Sequence, residues 1–460
     1  MSTTVRQVQT ATTRIALLTP YSGGNLGDAA IQDALITNLR LQMPGARFAG
    51  ISLNSENFIE RHGVEAFPLC TTSRHFYAMS NGSVSGSVLQ QNGRTGNRNL
   101  MARLKDALKR KPRLVQCLKD LRQWFLLVPK ELLHVARGYR FIGRQDILIV
   151  AGGGQLDEEW GGPWGHPFAL LKWAMLARMA RVPCAFVSVG AGKMKSPVSR
   201  LFLSLALRLA CYRSYRDRNS KRIAATLFRA AVDDPIVPDL AFGLPVSEIP
   251  ADAGIRSLSR SRTVVAISPI AYGKPASWPN QDQGLYSRYV QQMAQLIARL
   301  AERDYFLVMV WSSLGDDESV IPQIFERLDE TSRKKLADRL YLPSIRTWKE
   351  LVGLLHEVDF LVASRLHSAI LGFVTLTPTV AISFDPKVDW VMEDISQTDC
   401  LLHIDDFKAE DVLNALDHIR TVESTVTTRI SSYQLGIRPA VNRQYDALAE
   451  LASESQLRKN

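Results

Sequence analysis

Short apolar runs, each followed by a stretch of helical periodicity, recur along most of the chain. The runs are residues 14–19, 47–53, 146–150, 184–189 and 211–215 in the first half, with a last strand-like piece at residues 237–242, and residues 263–270, 305–311, 340–342, 360–363 and 379–384 in the second. Continuous apolar runs of this length are typical of strands buried on both faces of a parallel sheet. Their alternation with helices predicts an α/β fold with doubly wound sheets and right-handed crossovers.

The alternation of strands and helices is interrupted near the middle of the chain. A chain of 460 residues is long for one hydrophobic core, so two domains are expected. Residues 246–262, rich in Pro, Ser, Ala and Gly, are interpreted as the linker. We therefore predict two Rossmann-like domains facing a cleft, at residues 1–245 and 263–430. Residues 431–460 are predicted to form a helical tail that packs back onto the first domain.

The most informative unit is residues 359–385, where a strand, a helix and a second strand follow one another. Ser364 stands where a helix N-cap is expected, with Arg365 and His367 in the first helical turn. Open α/β sheets bind ligands at such junctions. An arginine there can bind a phosphate or carboxylate, and a histidine can transfer a proton. The alternative, a solvated arginine beside a structural histidine, is less favoured.

Glycine-rich loops follow other predicted strands. In the loop 20–28, glycines such as Gly27 would let a ligand approach the backbone, and Asn25 and Asp28 could bind a sugar or phosphate. A turn whose aspartate is favoured by the helix dipole explains this loop equally well. Gly153 lies in a second such loop. Because neither loop has the G-x-G-x-x-G pattern, a dinucleotide is not indicated.

Aromatic and polar residues cluster after the strand at residues 146–150. Asp157, Trp160, Trp164 and His166 resemble a carbohydrate surface, with rings to stack on a sugar and polar groups for its hydroxyls. They are therefore candidates for acceptor binding, with ordinary core tryptophans as the alternative.

Two further polar groups follow predicted strands. Arg216 is a second candidate ligand for an anion, and its alternative roles are an ion pair with Asp217 or a surface charge. The acidic stretch 315–318 is interpreted as a loop whose acids cap the following helix, rather than as a metal site.

The net charge of +11 is concentrated in one segment. Residues 94–144 hold fourteen Lys or Arg against three acidic residues, a difference equal to the whole excess. Because the rest of the chain is neutral, no nucleic-acid-binding surface is expected. Residues 114–136 alternate apolar and basic positions, so the basic insertion, at about 80–145, is predicted to be helical. It either packs on the first domain, which is slightly favoured, or lies on an anionic membrane surface.

Composition indicates an ordinary globular protein with 46% apolar and 22% charged residues. The five cysteines are widely spaced without a C-x-x-C pair, so neither disulfides nor a zinc site is expected. The start of the chain has no apolar leader, and no long apolar run follows. A cytoplasmic protein is expected, with the inner face of the membrane as an alternative place.

Several short motifs occur together and in a set order. They are Asn25-Leu26-Gly27-Asp28-Ala29-Ala30-Ile31, Gly152-Gly153-Gly154, Ser214-Tyr215-Arg216-Asp217 with Ser220, Pro238-Asp239, Ser364-Arg365-Leu366-His367-Ser368, and Phe384-Asp385 with Lys387. In this order they resemble the polysaccharide pyruvyl transferase family, over residues 14–390. The loop 190–193 lacks the Gly-Pro ending of that family, so it is given no donor role.

The resemblance implies a fold similar to GT-B glycosyltransferases, with phosphoenolpyruvate as donor and a saccharide, free or lipid-linked, as acceptor. The product would be a cyclic pyruvate ketal, formed without a metal or other cofactor. His367 and Arg365 would be catalytic, with His367 as the general acid–base group. The residues implied in donor binding are Arg216, Arg365, Leu366, His367, Ser368, Asn25, Gly27, Asp28, Gly153 and Lys387.

Two other functions fit the same residues. One is a GT-B glycosyltransferase that uses a nucleotide sugar. The other is a non-catalytic protein that binds a glycan precursor at the membrane through residues 94–144.

Overall fold

Two parallel six-stranded sheets form the framework of the protein. The computed structural model describes residues 12–21, 23–71, 129–159, 161–192, 194–252, 254–275, 278 and 281–459. The first sheet contains β1 (Arg14–Leu18), β2 (Arg47–Ser52), β3 (Glu65–Pro68), β4 (Ile147–Ala151), β5 (Cys184–Val189) and β6 (Tyr212–Tyr215). The second contains β7 (Val264–Ser268), β8 (Phe306–Met309), β9 (Leu340–Tyr341), β10 (Phe360–Ala363), β11 (Thr379–Ser383) and β12 (Leu401–His403).

Both sheets have the strand order of the Rossmann fold. The orders are β3-β2-β1-β4-β5-β6 and β12-β11-β10-β7-β8-β9, so the first and fourth strands of each domain are neighbours at its centre. The order reverses between them, and the crevice outside this point is where such sheets bind ligands. The predicted architecture of two Rossmann-like domains is confirmed.

Helices connect the strands and cover both sheets. They are α1 (Leu26–Gln42), α2 (Ser55–His62), α3 (129–142), α4 (His166–Met179), α5 (Pro197–Leu209), α6 (Arg218–Leu227), α7 (Gly254–Ser259), α8 (Gln283–Glu302), α9 (Ile321–Glu326), α10 (Glu330–Leu336), α11 (Trp348–Leu355), α12 (Leu366–Val374), α13 (Pro386–Asp394), α14 (Ala409–Thr421) and α15 (Glu423–Lys459). Because helices lie on both faces, the central strands β4 and β7 are buried at every position, as their unbroken apolar sequences require.

One hydrophobic core runs through both domains. It includes Leu35 of α1, Leu351 of α11 and Leu371 of α12, all completely buried. A second core, which includes Trp173, lies on the other face of the first sheet. The two domains therefore pack through α1, α11 and α12.

The chain returns to the first domain through α15. Gln444 on this helix is 1% exposed, and its Nε2 donates to Ser188 Oγ at 3.2 Å. Near the end of the helix, Lys459 Nζ lies 3.3 Å from Asp146 Oδ1. The helix joins the two domains along the side of the molecule.

Two local expectations are wrong. The strand expected at residues 237–242 is a 3₁₀ turn, Leu240–Gly243, which Asp239 caps by accepting from Ala241 N at 3.0 Å. Ser364 is not the N-cap of α12, because Arg365 occupies that position and Ser364 Oγ lies 2.8 Å from the Tyr289 hydroxyl. Residues 246–262, interpreted as the linker, contain helix α7.

Residues 72–128 lie outside the described residues, and they include most of the basic segment. The predicted amphipathic helix at 114–136 therefore falls largely outside them, and the described part of α3 starts at residue 129. Among the described residues, no helix combines the length and apolarity needed to cross a membrane.

Candidate active site

The ligand-binding edges of the two sheets face each other. Hydrogen bonds join their loops directly, since Leu26 N donates to Ser312 O at 2.8 Å and Leu314 N donates to Gly24 O at 2.8 Å. The loop after β1 therefore meets the loop after β8. These contacts join the two domains at the facing edges of their sheets.

Arg365 is held at the start of α12 by a buried carboxylate. Its Nε and Nη2 donate to Asp317 at 2.7 and 3.0 Å, and Asp317 is fully buried. The expectation that the acids at 315–318 serve as helix caps is wrong for Asp317, which makes no side-chain cap bond. Because Asp317 uses two nitrogens of the fork, Nη1 is left for a ligand. No side-chain cap bond is made by Arg365, the N-cap residue of helix α12. The first backbone N–H groups of this helix are therefore left for another acceptor.

His367 crosses from the second domain onto the first turn of α1. A Cβ built on Gly27 would lie 2.0 Å from His367 Cγ, so the imidazole occupies the space that this glycine leaves. His367 is 9% exposed, and its Nε2 is buried without a hydrogen-bond partner among the described residues. The free Nε2 is the atom available to a substrate.

Asp28 lies on helix α1, near the side chain of His367. Burial raises the pKa of the Asp28 carboxyl, while the nearby His367 and Arg365 partly oppose this effect. Gly153 leaves space on the other side, since a Cβ there would lie 3.7 Å from Asp28 Oδ1. The charges of Asp28 and His367 affect each other, and a carboxyl and an imidazole are both groups that can take up and release a proton.

Arg216 is buried at the carboxyl end of β6, where Gly190 leaves room for its guanidinium. Its Nε lies 3.4 Å from Asp217 Oδ2, and its Nη1 lies 3.7 Å from Asp239 Oδ2. Its Nη2 is buried without a partner among the described residues. The ion pair with Asp217 therefore exists, but it leaves an unused donor, and a buried donor of this kind is normally satisfied by a ligand or water.

Lys387 brings a third cation into the cleft from helix α13. Its Nζ lies 3.9 Å from Asp157 Oδ2 in the first domain. Asp157 is 3% exposed, and burial, partly offset by Lys387, raises its pKa to about 6. Gly154 and Gly192 flank this pair, because Cβ atoms built on them would lie 3.3 Å from Asp157 Oδ2 and 3.5 Å from Lys387 Nζ, respectively.

Of the described residues expected to bind the acceptor, Asp157 lies beside Lys387 in the cleft, whereas His166 is buried and Trp164 is exposed. His166 is 1% exposed, and its Nε2 lies 2.9 Å from Gln155 Oε1; burial lowers its pKa to about 4. A buried, neutral His166 orders the loop after β4 and does not reach an acceptor. Trp164 is 65% exposed and packs on Phe168 and Phe202, while Trp160 lies outside the described residues.

Three residues of the expected donor set have structural contacts. Asn25 caps α1, where its Oδ1 accepts from Gly27 N at 2.9 Å. Ser368 is buried, and its Oγ lies 2.7 Å from Ser268 Oγ. Leu366 is half-buried at the edge of the core. These residues shape the loops that carry the charged groups.

Sequence reasoning missed three parts of the site. Asp317 and Asp239 hold the two arginines, and Gly190 makes the space for Arg216. Asp239 lies in the recognised Pro238-Asp239 motif, so a signal for it existed. No local signal could pair Asp317 with Arg365, which lie 48 positions apart.

Comparisons with known proteins agree with this architecture. The family model "Polysaccharide pyruvyl transferase" matches residues 25–386, and a comparison with curated proteins finds no match. A glycosyltransferase from Rickettsia africae superposes with a TM-score of 0.54 at 10% identity, covering 97% of this chain and 99% of that chain. Anabaena HepE in complex with UDP gives 0.51 at 13% identity, with coverage of 96% and 100%.

These structural likenesses show the fold, which is the two-domain arrangement of GT-B glycosyltransferases and related epimerases. The matched family model covers most of the chain, and of the charged residues of the cleft described above it leaves out only Lys387, which directly follows the matched range. The chain belongs to the polysaccharide pyruvyl transferase family.

Proposed function

We propose that the protein transfers the enolpyruvyl group of phosphoenolpyruvate to two hydroxyls of a saccharide, which yields a pyruvate ketal and inorganic phosphate. The observation that carries the proposal is the convergence of Arg216, Arg365, Lys387 and His367 from both domains at the facing crevices of the two sheets. The family supports a transferase that acts on polysaccharides, and the chemistry of the cleft supports this donor.

The charge of the donor matches the cations of the cleft. Phosphoenolpyruvate has a carboxylate and a phosphate with a last pKa near 6, so it carries about three negative charges at neutral pH. Arg216 Nη2 has no partner among the described residues, Arg365 Nη1 takes no part in the pair with Asp317, and the start of α12, without a side-chain cap, adds backbone N–H groups. Forked guanidinium groups and helix N-termini are both suited to carboxylate and phosphate.

The reaction begins with a proton transfer at the donor. His367 Nε2 delivers a proton to the methylene carbon, C3, and the double bond becomes a methyl group next to a cation at C2. A sugar hydroxyl attacks C2 and loses its proton to a base, for which Asp28 lies ready beside the imidazole. The intermediate at C2 then bears the methyl, carboxylate, phosphate and sugar oxygen.

Loss of phosphate completes the transfer. The C2–O bond to phosphate breaks, and a second hydroxyl of the same sugar attacks C2 to close the ketal ring. The proton taken up at C3 is balanced by one hydroxyl proton, and the other leaves with phosphate. Arg216 and Arg365 stabilise the charge on the departing phosphate by electrostatic preorganisation.

The test is phosphate release that depends on both phosphoenolpyruvate and a diol-bearing saccharide, with the ketal identified by mass and NMR. We expect His367→Ala to lower the rate by at least about 100-fold, the usual contribution of a general acid–base group. His403→Ala, which changes an exposed histidine on β12, should retain the rate. Equal activity in the two variants would refute the role of His367.

A nucleotide sugar is the second candidate donor, because Anabaena HepE, which shares the fold, is bound to UDP. Release of UDP from a UDP-sugar, with no turnover of phosphoenolpyruvate, would establish this glycosyltransferase function. Saccharide binding without turnover of either donor would instead favour a non-catalytic binding protein.

A further inference from the structure

Three aromatic side chains form a compact cluster on the second domain, beside the charged residues. Tyr272 and Trp278 lie in the loop after β7, and Phe384 follows β11 directly. The centroids of the Tyr272 and Trp278 rings are 5.3 Å apart, and each lies within 5.7 Å of the Phe384 ring. All three rings are only partly buried against the core, so part of this aromatic cluster remains open to solvent.

The aromatic cluster lies between two of the site's cations. The Arg365 guanidinium carbon is 5.7 Å from the centroid of the Trp278 ring. At the other end, Phe384 immediately precedes Asp385, which caps the helix that carries Lys387. Because Lys387 Nζ approaches Asp157 of the first domain and the charge of Arg365 acts on the carboxyl of Asp28, the rings between them border the same cleft.

The charges that act on the Tyr272 hydroxyl are negative. Burial raises the pKa of the Tyr272 hydroxyl, and the carboxylates of Asp405, Asp385, Asp282 and Glu159 raise it further. Glu159 belongs to the first domain, so Tyr272 faces across the cleft. An open aromatic face surrounded by carboxylates offers stacking for a flat apolar surface and acceptors for hydroxyl groups.

We infer that Trp278, together with Tyr272 and Phe384, is the stacking surface for the saccharide acceptor, next to the donor position at Arg365. This inference rests on the proposed function for its donor, but saccharide binding at the rings can be measured without that donor. It replaces Trp164 and His166, which the structure places elsewhere, as the site for the acceptor.

A neutral sugar fits these surroundings better than a nucleotide. The C–H face of a hexose stacks on indole, and its hydroxyls donate to carboxylates such as Asp385 and Asp282. A nucleobase could stack on the same ring, but the diphosphate attached to it would meet the carboxylates around Tyr272 and be repelled. The charge around the rings therefore favours the saccharide.

The test uses saturation-transfer NMR with methyl glycosides of glucose, galactose and mannose, without phosphoenolpyruvate. Trp278→Leu keeps an apolar side chain and removes the ring, Trp278→Phe keeps a ring, and Trp164→Leu is the matched control on an exposed tryptophan. We expect at least one glycoside to bind the wild type and to lose about tenfold in affinity in Trp278→Leu, as for one lost aromatic contact. Trp278→Phe and Trp164→Leu should retain most of the binding.

The inference would be overturned if no glycoside binds the wild type, or if Trp278→Leu, with an unfolding temperature near that of the wild type, binds glycosides as well as Trp164→Leu does. Loss of UDP binding in Trp278→Leu with glycoside binding retained would also overturn it, in favour of a nucleobase. A separate titration of the wild type with phosphoenolpyruvate reports on the proposed function. Failure of that titration would remove the donor and leave the glycoside result standing.

Discussion

Gly27 lies where the imidazole of His367 rests on helix α1. A methyl group at this position would meet His367 Cγ and Nδ1 at 2.0 and 2.2 Å, so Gly27→Ala must displace the ring. A displacement of this size costs on the order of 100-fold in rate, and we expect that loss in kcat for ketal formation.

Gly24→Ala is the matched control for this change. It adds a methyl to the same loop, where the nearest atom, Leu314 O, is 3.8 Å away. This variant should keep the wild-type rate. Alanine is more favourable in a helix than glycine by about 1 kcal/mol, so a lower rate in Gly27→Ala would not come from a weakened helix. Full activity in Gly27→Ala would contradict the placement of His367.

Asp157 gives stability a specific dependence on pH. Its pKa rises from an ordinary value of 3.8 to about 6 because it is buried, so the folded state binds a proton more tightly than the unfolded chain. The protonated carboxyl of Asp157 contributes its full stability below the pKa of the unfolded chain, and this contribution is lost as the pH rises through the pKa of the folded state. Asparagine does not titrate, so Asp157→Asn does not lose stability in this way. We expect the variant to match the wild type near pH 4 and to exceed it by up to about 3 kcal/mol near pH 8.

Thermal unfolding at those two pH values checks the prediction for Asp157. An equal difference at both pH values would mean that the carboxyl has an ordinary pKa in the folded protein. A lower stability of Asp157→Asn near pH 8 would mean that its ion pair with Lys387, at 3.9 Å, outweighs the cost of burial.

The sequence indicates which side chains follow strands, but not which of them pair. Arg365, His367 and Arg216 were found because each comes at the carboxyl end of an apolar run. Their partners Asp317 and Asp239 depend on how separate loops meet in space, which no local pattern records. The burial of His166 was not predicted, because a histidine near tryptophans in the sequence can be either buried or exposed.

At the scale of elements, helix α15 stabilises the first domain from the far end of the chain. Leu448 on this helix is completely buried, whereas Leu457 is 77% exposed. Leu448→Ala should lower the free energy of unfolding by about 2–5 kcal/mol, the cost of a cavity in a packed core.

Leu457→Ala is the control on the same helix and should change stability by less than about 0.5 kcal/mol. Denaturant unfolding of both variants gives the comparison. Equal effects would show that α15 does not pack as the structure has it.

Long apolar strands were predicted closely, whereas some short elements were missed. The strand Cys184–Val189 matches its prediction at both ends, because an unbroken apolar run is its own signal. The three-residue strand Leu401–His403 was missed, since its pattern is partly exposed and brief. The start of α12 was placed one residue early because Ser364 is a common cap, but its hydroxyl bonds to Tyr289 instead.

At the scale of the whole molecule, contacts between the domains assemble the site. Trp348 Nε1 of the second domain donates to Asp33 Oδ2 of the first at 2.6 Å, and the shared core continues across the interface. The three cations come from both domains, so the proposed donor site exists only when they are packed together. The repeated alternation of strands and helices in the sequence predicted both sheets. The way the two sheets face each other follows from the packing of α1 against α11 and α12.

The proposal that phosphoenolpyruvate is the donor is tested most directly by calorimetric titration of the protein with phosphoenolpyruvate and, in parallel, with UDP and a UDP-sugar. We expect phosphoenolpyruvate to bind the wild type and to bind Arg216→Lys at least about tenfold more weakly, because lysine keeps the charge but loses the fork. Arg218→Lys, on an exposed residue two positions away, should bind like the wild type. Binding of UDP without binding of phosphoenolpyruvate, or equal binding by the two variants, would contradict the account.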